Sequence, residues 1–224
     1  MAEEEDPLFR EIDEELKQER LFKVWKNYGS YIIASGLAII IGVASFKGWE
    51  SYSLKQRMQN GQSFAAAQDL ASGQNSKEAL AQLEQLIQES GHGYAMLARF
   101  QSASIIGNEG RSYEAVDIYT SLADDEDVDQ IFRDLAVVLG ALQELNTTKK
   151  RSKLIERALK LAQGDGIWRH NAREIEAIKK LTSGEKAAAS SIFKELANTA
   201  GVPQGIQLRA QEILETTFEV EGPA

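Results

Sequence analysis

Two histidines, His92 and His170, and one acidic run, Asp124-Asp-Glu-Asp-Val-Asp129, are the residues of this chain whose types invite catalytic or metal chemistry. His92 sits between two glycines, a setting typical of a turn, and His170 follows Trp168-Arg169. Neither has a second histidine or a carboxylate at ligand spacing, so both are expected to be solvent-facing or packing side chains. The acidic run offers the oxygen ligands that calcium takes, but it lacks the central glycine and terminal glutamate of a calcium loop. It is expected to be a solvated loop that places negative charge ahead of the next helix, where the helix dipole favours it. Glycine-rich phosphate loops, serine elbows and metalloprotease helices are absent from the sequence. The chain has no cysteine, which removes thiol catalysis, iron–sulfur clusters and thiolate zinc sites. The expectation is a protein that is not an enzyme and carries no cofactor or metal.

The elements that would hold such residues fall into two kinds. Twenty residues without a charge, Asn27 to Phe46, lie between Lys26 and Lys47. As a helix they would span about 30 Å, the thickness of a bilayer's hydrocarbon core. The 26 residues ahead of this segment open on Glu3, Glu4, Glu5 and Asp6, unlike the short basic start of a signal peptide. The expected element is therefore a retained membrane helix. Trp25, Tyr28 and Tyr31 gather at one end, with Phe22, and Trp49 and Tyr52 at the other, with Phe46. Amphipathic rings favour the headgroup level, so these read as two interfacial belts. Arg10, Lys17, Arg20, Lys23 and Lys26 precede the segment, against Lys47, Lys55 and Arg57 after it. That bias points the N-terminus to the cytoplasm. The resulting domains are a cytoplasmic amphipathic head at 1–26, a transmembrane helix at 27–46 and an exported body at 47–224, which in a bacterium lies in the periplasm.

The body is rich in good helix formers and nearly free of proline. Its apolar residues recur at three and four rather than at two, the helical period. Ser72-Gly-Gln-Asn75, Gly107-Asn-Glu-Gly110, Asn146-Thr-Thr148 and Thr182-Ser-Gly184 interrupt the pattern where one helix should stop and the next begin. After each interruption comes a spaced triplet: Ala79/Leu83/Leu86, Ala115/Tyr119/Leu122, a degenerate Leu154/Ala158/Leu161, and Ala189/Phe193/Leu196. A two-helix repeat of about 34 residues is the tetratricopeptide signature. Ala79, Ala115 and Ala189 would let helices approach, and Leu83, Tyr119 and Phe193 would fill the gaps between stacked hairpins. The fold expected is all-α, an α-solenoid of tetratricopeptide-like hairpins closed by a capping helix from Gly205 to Phe218.

An acidic head (Phe9-Arg-Glu-Ile-Asp-Glu-Glu-Leu16), one membrane helix, Trp49, weak hairpins and the segment Ile167-Trp-Arg-His-Asn-Ala-Arg-Glu-Ile175 occur here in that order. Together with Gly184 and Phe193-Lys-Glu-Leu196, this arrangement resembles the tetratricopeptide-like ancillary subunit of the bacterial Sec translocon, in the form found in alphaproteobacteria. The resemblance covers essentially the whole chain and lies in architecture more than in diagnostic residues. It implies a single-pass inner-membrane protein with a periplasmic helical domain. The partners it implies are the translocon, a membrane-anchored chaperone of the prolyl-isomerase type, and exported chains.

Several surfaces are candidates for binding. Ala34, Ala38 and Gly42 share one face of the membrane helix, where small residues permit close packing against another helix, from a second copy or another protein. Leu8, Ile12 and Leu16 form an apolar stripe on the head that would dock on a protein or lie at the membrane surface. Tyr94, Arg99, Arg133, Trp168, Arg169 and Arg173 fall on the first helices of the pairs, which would line a concave wall. The net charge is −9, and an acidic body is a poor match for nucleic acid. Two functions fit: a module that holds partners at the export channel, or a membrane-anchored regulator whose head binds a signalling protein.

Overall fold

The computed structural model describes residues 7–147 and 153–219, with side chains at Arg20, Phe22 and Lys23 and, within those ranges, from Trp25 to Phe218. The Leu8/Ile12/Leu16 stripe and Thr148 therefore lie outside the described side chains. Among the described residues the fold is all-helical. Helix α1, Pro7–Ser72, carries the head, the apolar segment and the first member of the first hairpin. It is followed by α2 (Ser76–Glu89), α3 (His92–Asn108), α4 (Ser112–Ala123), α5 (Gln130–Leu145), α6 (Leu154–Ala162), α7 (Arg169–Thr182), α8 (Lys186–Asn198) and α9 (Gln204–Leu214). A π-helical turn, Glu215–Glu219, extends α9. The chain divides into two units between Gln59 and Asn60.

Along the helix of the first unit, the described large apolar side chains are exposed. Ile33, Ile39, Ile40 and Phe46 are 61 %, 66 %, 66 % and 65 % exposed. Each such side chain left in water forgoes about 1.5–3 kcal/mol of burial. The helix is long and apolar enough to cross a membrane. Ahead of the apolar segment, the Trp25 indole lies over Gly29, where a Cβ would stand 3.4 Å from the ring. Tyr28, Tyr31, Trp49 and Tyr52 are exposed.

The second unit stacks hairpins: residues 60–72 of α1 with α2, α3 with α4, α5 with α6, and α7 with α8, with α9 laid on the last. The first helices also touch one another, α5 against α7 and α7 against α9. Three of the turns inside hairpins share one geometry. Gln74, Gly110 and Gly184 adopt left-handed backbone at φ 65°, 82° and 83°. The next residue then closes a six-residue ring: Asn75 N donates to Leu70 O at 2.9 Å, Arg111 N to Ile106 O at 3.1 Å, and Glu185 N to Lys180 O at 2.9 Å. This satisfies carbonyls that a helix end would otherwise leave bare. Glycine adopts that φ without steric cost.

Inside the stack, Ala79, Leu83, Ala115, Ala189 and Phe193 are fully buried, and Tyr119 nearly so. Burial raises the Tyr119 phenol to about 12, and its ring lies 6.2 Å from that of Phe100 on α3. In the third hairpin Leu154 occupies the place the other repeats give to alanine. A Cβ on Gly140 of α5 would collide with Leu154 Cδ1 and stand 2.8 Å from Tyr119 Cβ. Glycine on the facing helix makes the room that leucine takes.

The cap is held by charge as well as by Ile206 and Ala210, which are buried. Arg209 Nε and a terminal nitrogen donate to the two oxygens of Glu174 at 2.8 and 2.7 Å. That fork matches a carboxylate bidentately and ties α9 to α7.

Candidate functional site

The residues that sequence places on the first-helix wall are largely occupied by the fold itself. The Tyr94 hydroxyl packs over Gly61, 2.9 Å from where a Cβ would stand, so it joins α3 to α1. Arg99 donates to Asp125 at 2.6 Å and to Ser121 at 3.1 Å. Arg133 donates to Gln130 at 2.6 Å, while its Nε is buried without a partner. Trp168 donates its indole N–H to the Ile131 carbonyl at 2.8 Å, which fixes the start of α7 on the start of α5. Arg173 bridges Glu176 at 2.6 Å and Glu195 on α8 at 2.8 Å. Those carboxylates hold its guanidinium above the ordinary arginine value, Glu195 most. Arg169 alone of this group is exposed; its Nε donates to His170 at 3.1 Å. Burial, then the Arg169 charge, keeps the His170 imidazole below its usual value.

The acidic run is more than a solvated loop. Asp125 takes the Arg99 contact from α3, and Asp124 accepts from Arg157 of α6 at 2.6 Å. Arg157 also donates to the Ala123 carbonyl at 2.9 Å. The loop between the second and third hairpins is thus clamped by an arginine from each side. The Arg99 hydrogen bond is the main cause of an Asp125 carboxyl held below the ordinary aspartate value. Among the described residues no group of three or more His, Asp or Glu side chains is arranged to hold a metal ion.

The clamped loop shapes a groove that residue types did not reveal. It runs between the starts of α3 and α5 and is lined by His92, Met96, Arg99, Asp127, Val128 and Phe132, among others. Its one sequence signal is the position of the acidic run between two first helices. A second, mostly apolar hollow lies where Leu80 and Ile87 of α2 face Ile106 of α3 and Ile118 of α4.

The family of tetratricopeptide repeat-like domains matches residues 23–163 of the chain. The chain belongs to that family. The tetratricopeptide repeat-like match begins ahead of the apolar segment, so it takes in the membrane-length helix as well as the first three hairpins. Neither a curated protein nor a solved structure matches the chain. Tetratricopeptide repeat-like arrays present an extended surface to other proteins, which makes this chain's second unit a protein-interaction module by type.

Proposed function

We propose that this protein is a non-enzymatic interaction module anchored in a bacterial inner membrane, with residues 27–46 crossing once, the head cytoplasmic and the hairpins periplasmic. The observation that carries the reading is the pairing of a bare apolar helix with a stacked helical array inside one family match. A helix that leaves a continuous run of isoleucine exposed needs an apolar solvent, and a bilayer is the one that fits its length. The finer assignment is ancillary to the Sec translocon, beside a prolyl-isomerase-type chaperone and emerging exported chains. It is supported by the order of head, membrane helix and hairpins in the sequence.

The mechanism is tethering. Holding two binders in one membrane raises their effective concentration without any new contact between them. Several weak surfaces then act together: the Ala34/Ala38/Gly42 face, the head and the first-helix wall. In-cell photocrosslinking from positions along residues 27–46 and along the first helices tests this. Crosslinks to translocon subunits are the expected result; crosslinks only to lipid and to the chain itself would defeat the assignment. Leucine at Ala38 and Gly42 should weaken co-purification of the membrane partner while leaving carbonate-resistant membrane insertion unchanged.

A further inference from the structure

The groove between the starts of α3 and α5 encloses about 280 Å³. That is just under the range that encloses a whole small molecule, so it is sized for side chains. Met96, Val128 and Phe132 supply apolar wall, and the charged groups stand around it. Arg99 is spent on Asp125 and Ser121 and offers no free cation. Asp127 and Asp129 are exposed, and their carboxylates have no partner among the described residues. The result is an apolar slot with an uncompensated negative rim.

We propose that this groove binds a partner segment in which Lys or Arg flanks a large aliphatic side chain. The aliphatic group enters the slot against Met96 and Phe132, and the cations face Asp127 and Asp129. Charge complementarity selects this occupant. A second copy of the chain, at net charge −9, and an anionic lipid surface would both meet repulsion at the rim. The inference rests on reading the array as an interaction module and adds the chemistry of one partner.

The test uses the full chain in nanodiscs of neutral lipid, with empty nanodiscs as the blank. A fluorescein-labelled peptide with a Ser-Lys-Leu-Lys-Ser core is titrated by anisotropy, beside versions carrying Glu for Lys or Ser for Leu. Binding of the first is expected to exceed both others and to weaken with salt. The double variant Asp127→Asn/Asp129→Asn should bind it about tenfold less, as two rim charges permit. The same loss of charge at Asp117→Asn, on exposed α4 surface, should leave binding unchanged. Equal affinity for the Lys and Glu peptides, equal binding by the double variant, or no binding by the wild type would overturn the site. In-cell crosslinks from the first helices that survive in the double variant would then leave the interaction-module reading standing; their absence in the wild type would remove that reading too.

Discussion

The third and fourth hairpins pack equivalent seams with the sizes of their residues reversed. In the fourth, small Ala189 precedes large Phe193; in the third, Leu154 precedes small Ala158. All four side chains are at most 1 % exposed. The reversal is accommodated on the facing helix, where Gly140 leaves space that Leu154 fills and Tyr119 of the second hairpin closes. The helices leading into the two turns also end differently. The helix leading into the fourth hairpin's turn ends through left-handed Gly184, whereas that of the third is held by buried Glu144, which accepts from Ile155 N at 3.4 Å. What the repeats keep in common is the volume at each seam rather than the residue at each position.

The largest break in that comparison is Phe193→Ala, which should cost about 3–5 kcal/mol in urea unfolding because it empties a fully buried site. Next comes Gly140→Ala, expected to cost about 1–3 kcal/mol through overpacking against Leu154 and Tyr119. The double variant Gly140→Ala/Leu154→Ala should cost less than the two singles added, with a coupling of about 0.5–3 kcal/mol. Strict additivity would refute the compensation. In the first hairpin, Gln74→Gly should gain about 0.5–1 kcal/mol, since glycine takes the φ of 65° without Cβ strain. The smallest effect concerns the clamp between the second and third hairpins. Asp125 has a folded-state carboxyl held low by Arg99. Its contribution is complete above the unfolded aspartate value of about 3.9 and is lost as pH falls through the lower folded value. Arg99→Met should flatten that part of the acid limb in a pH series of urea midpoints.

The parts of this fold that were legible in the sequence are those with a local period. Ala79, Leu83, Ala115, Tyr119, Ala189 and Phe193 repeat at fixed spacing because each helix must bury one stripe. Gly110 and Gly184 mark turns for the same local reason. The binding residues were less legible. Arg99 and Arg173 look like exposed interface anchors in sequence, but each finds a carboxylate outside its own helix, 26 and 22 residues away, Asp125 in a loop and Glu195 on α8. Pairings at such separations follow from how hairpins stack, and no local pattern announces them. The groove beside Asp127 and Asp129 was hidden similarly, since its walls come from α3, the following loop and α5. The head, the apolar segment and residues 47–72 read as separate pieces by composition, yet one helix carries them all, because a change of polarity does not by itself end a helix.

Gly140 also bears on how this array can change over generations. Repeat proteins lengthen and shorten by copying or deleting whole units, which works when the units are spare parts for one another. Here the third unit sets Leu154 opposite its own Gly140, with Tyr119 of the second hairpin closing the same place. A copied α6 placed behind a first helix with a bulkier residue at that position would arrive a leucine too large, so α5 and α6 are matched as a pair.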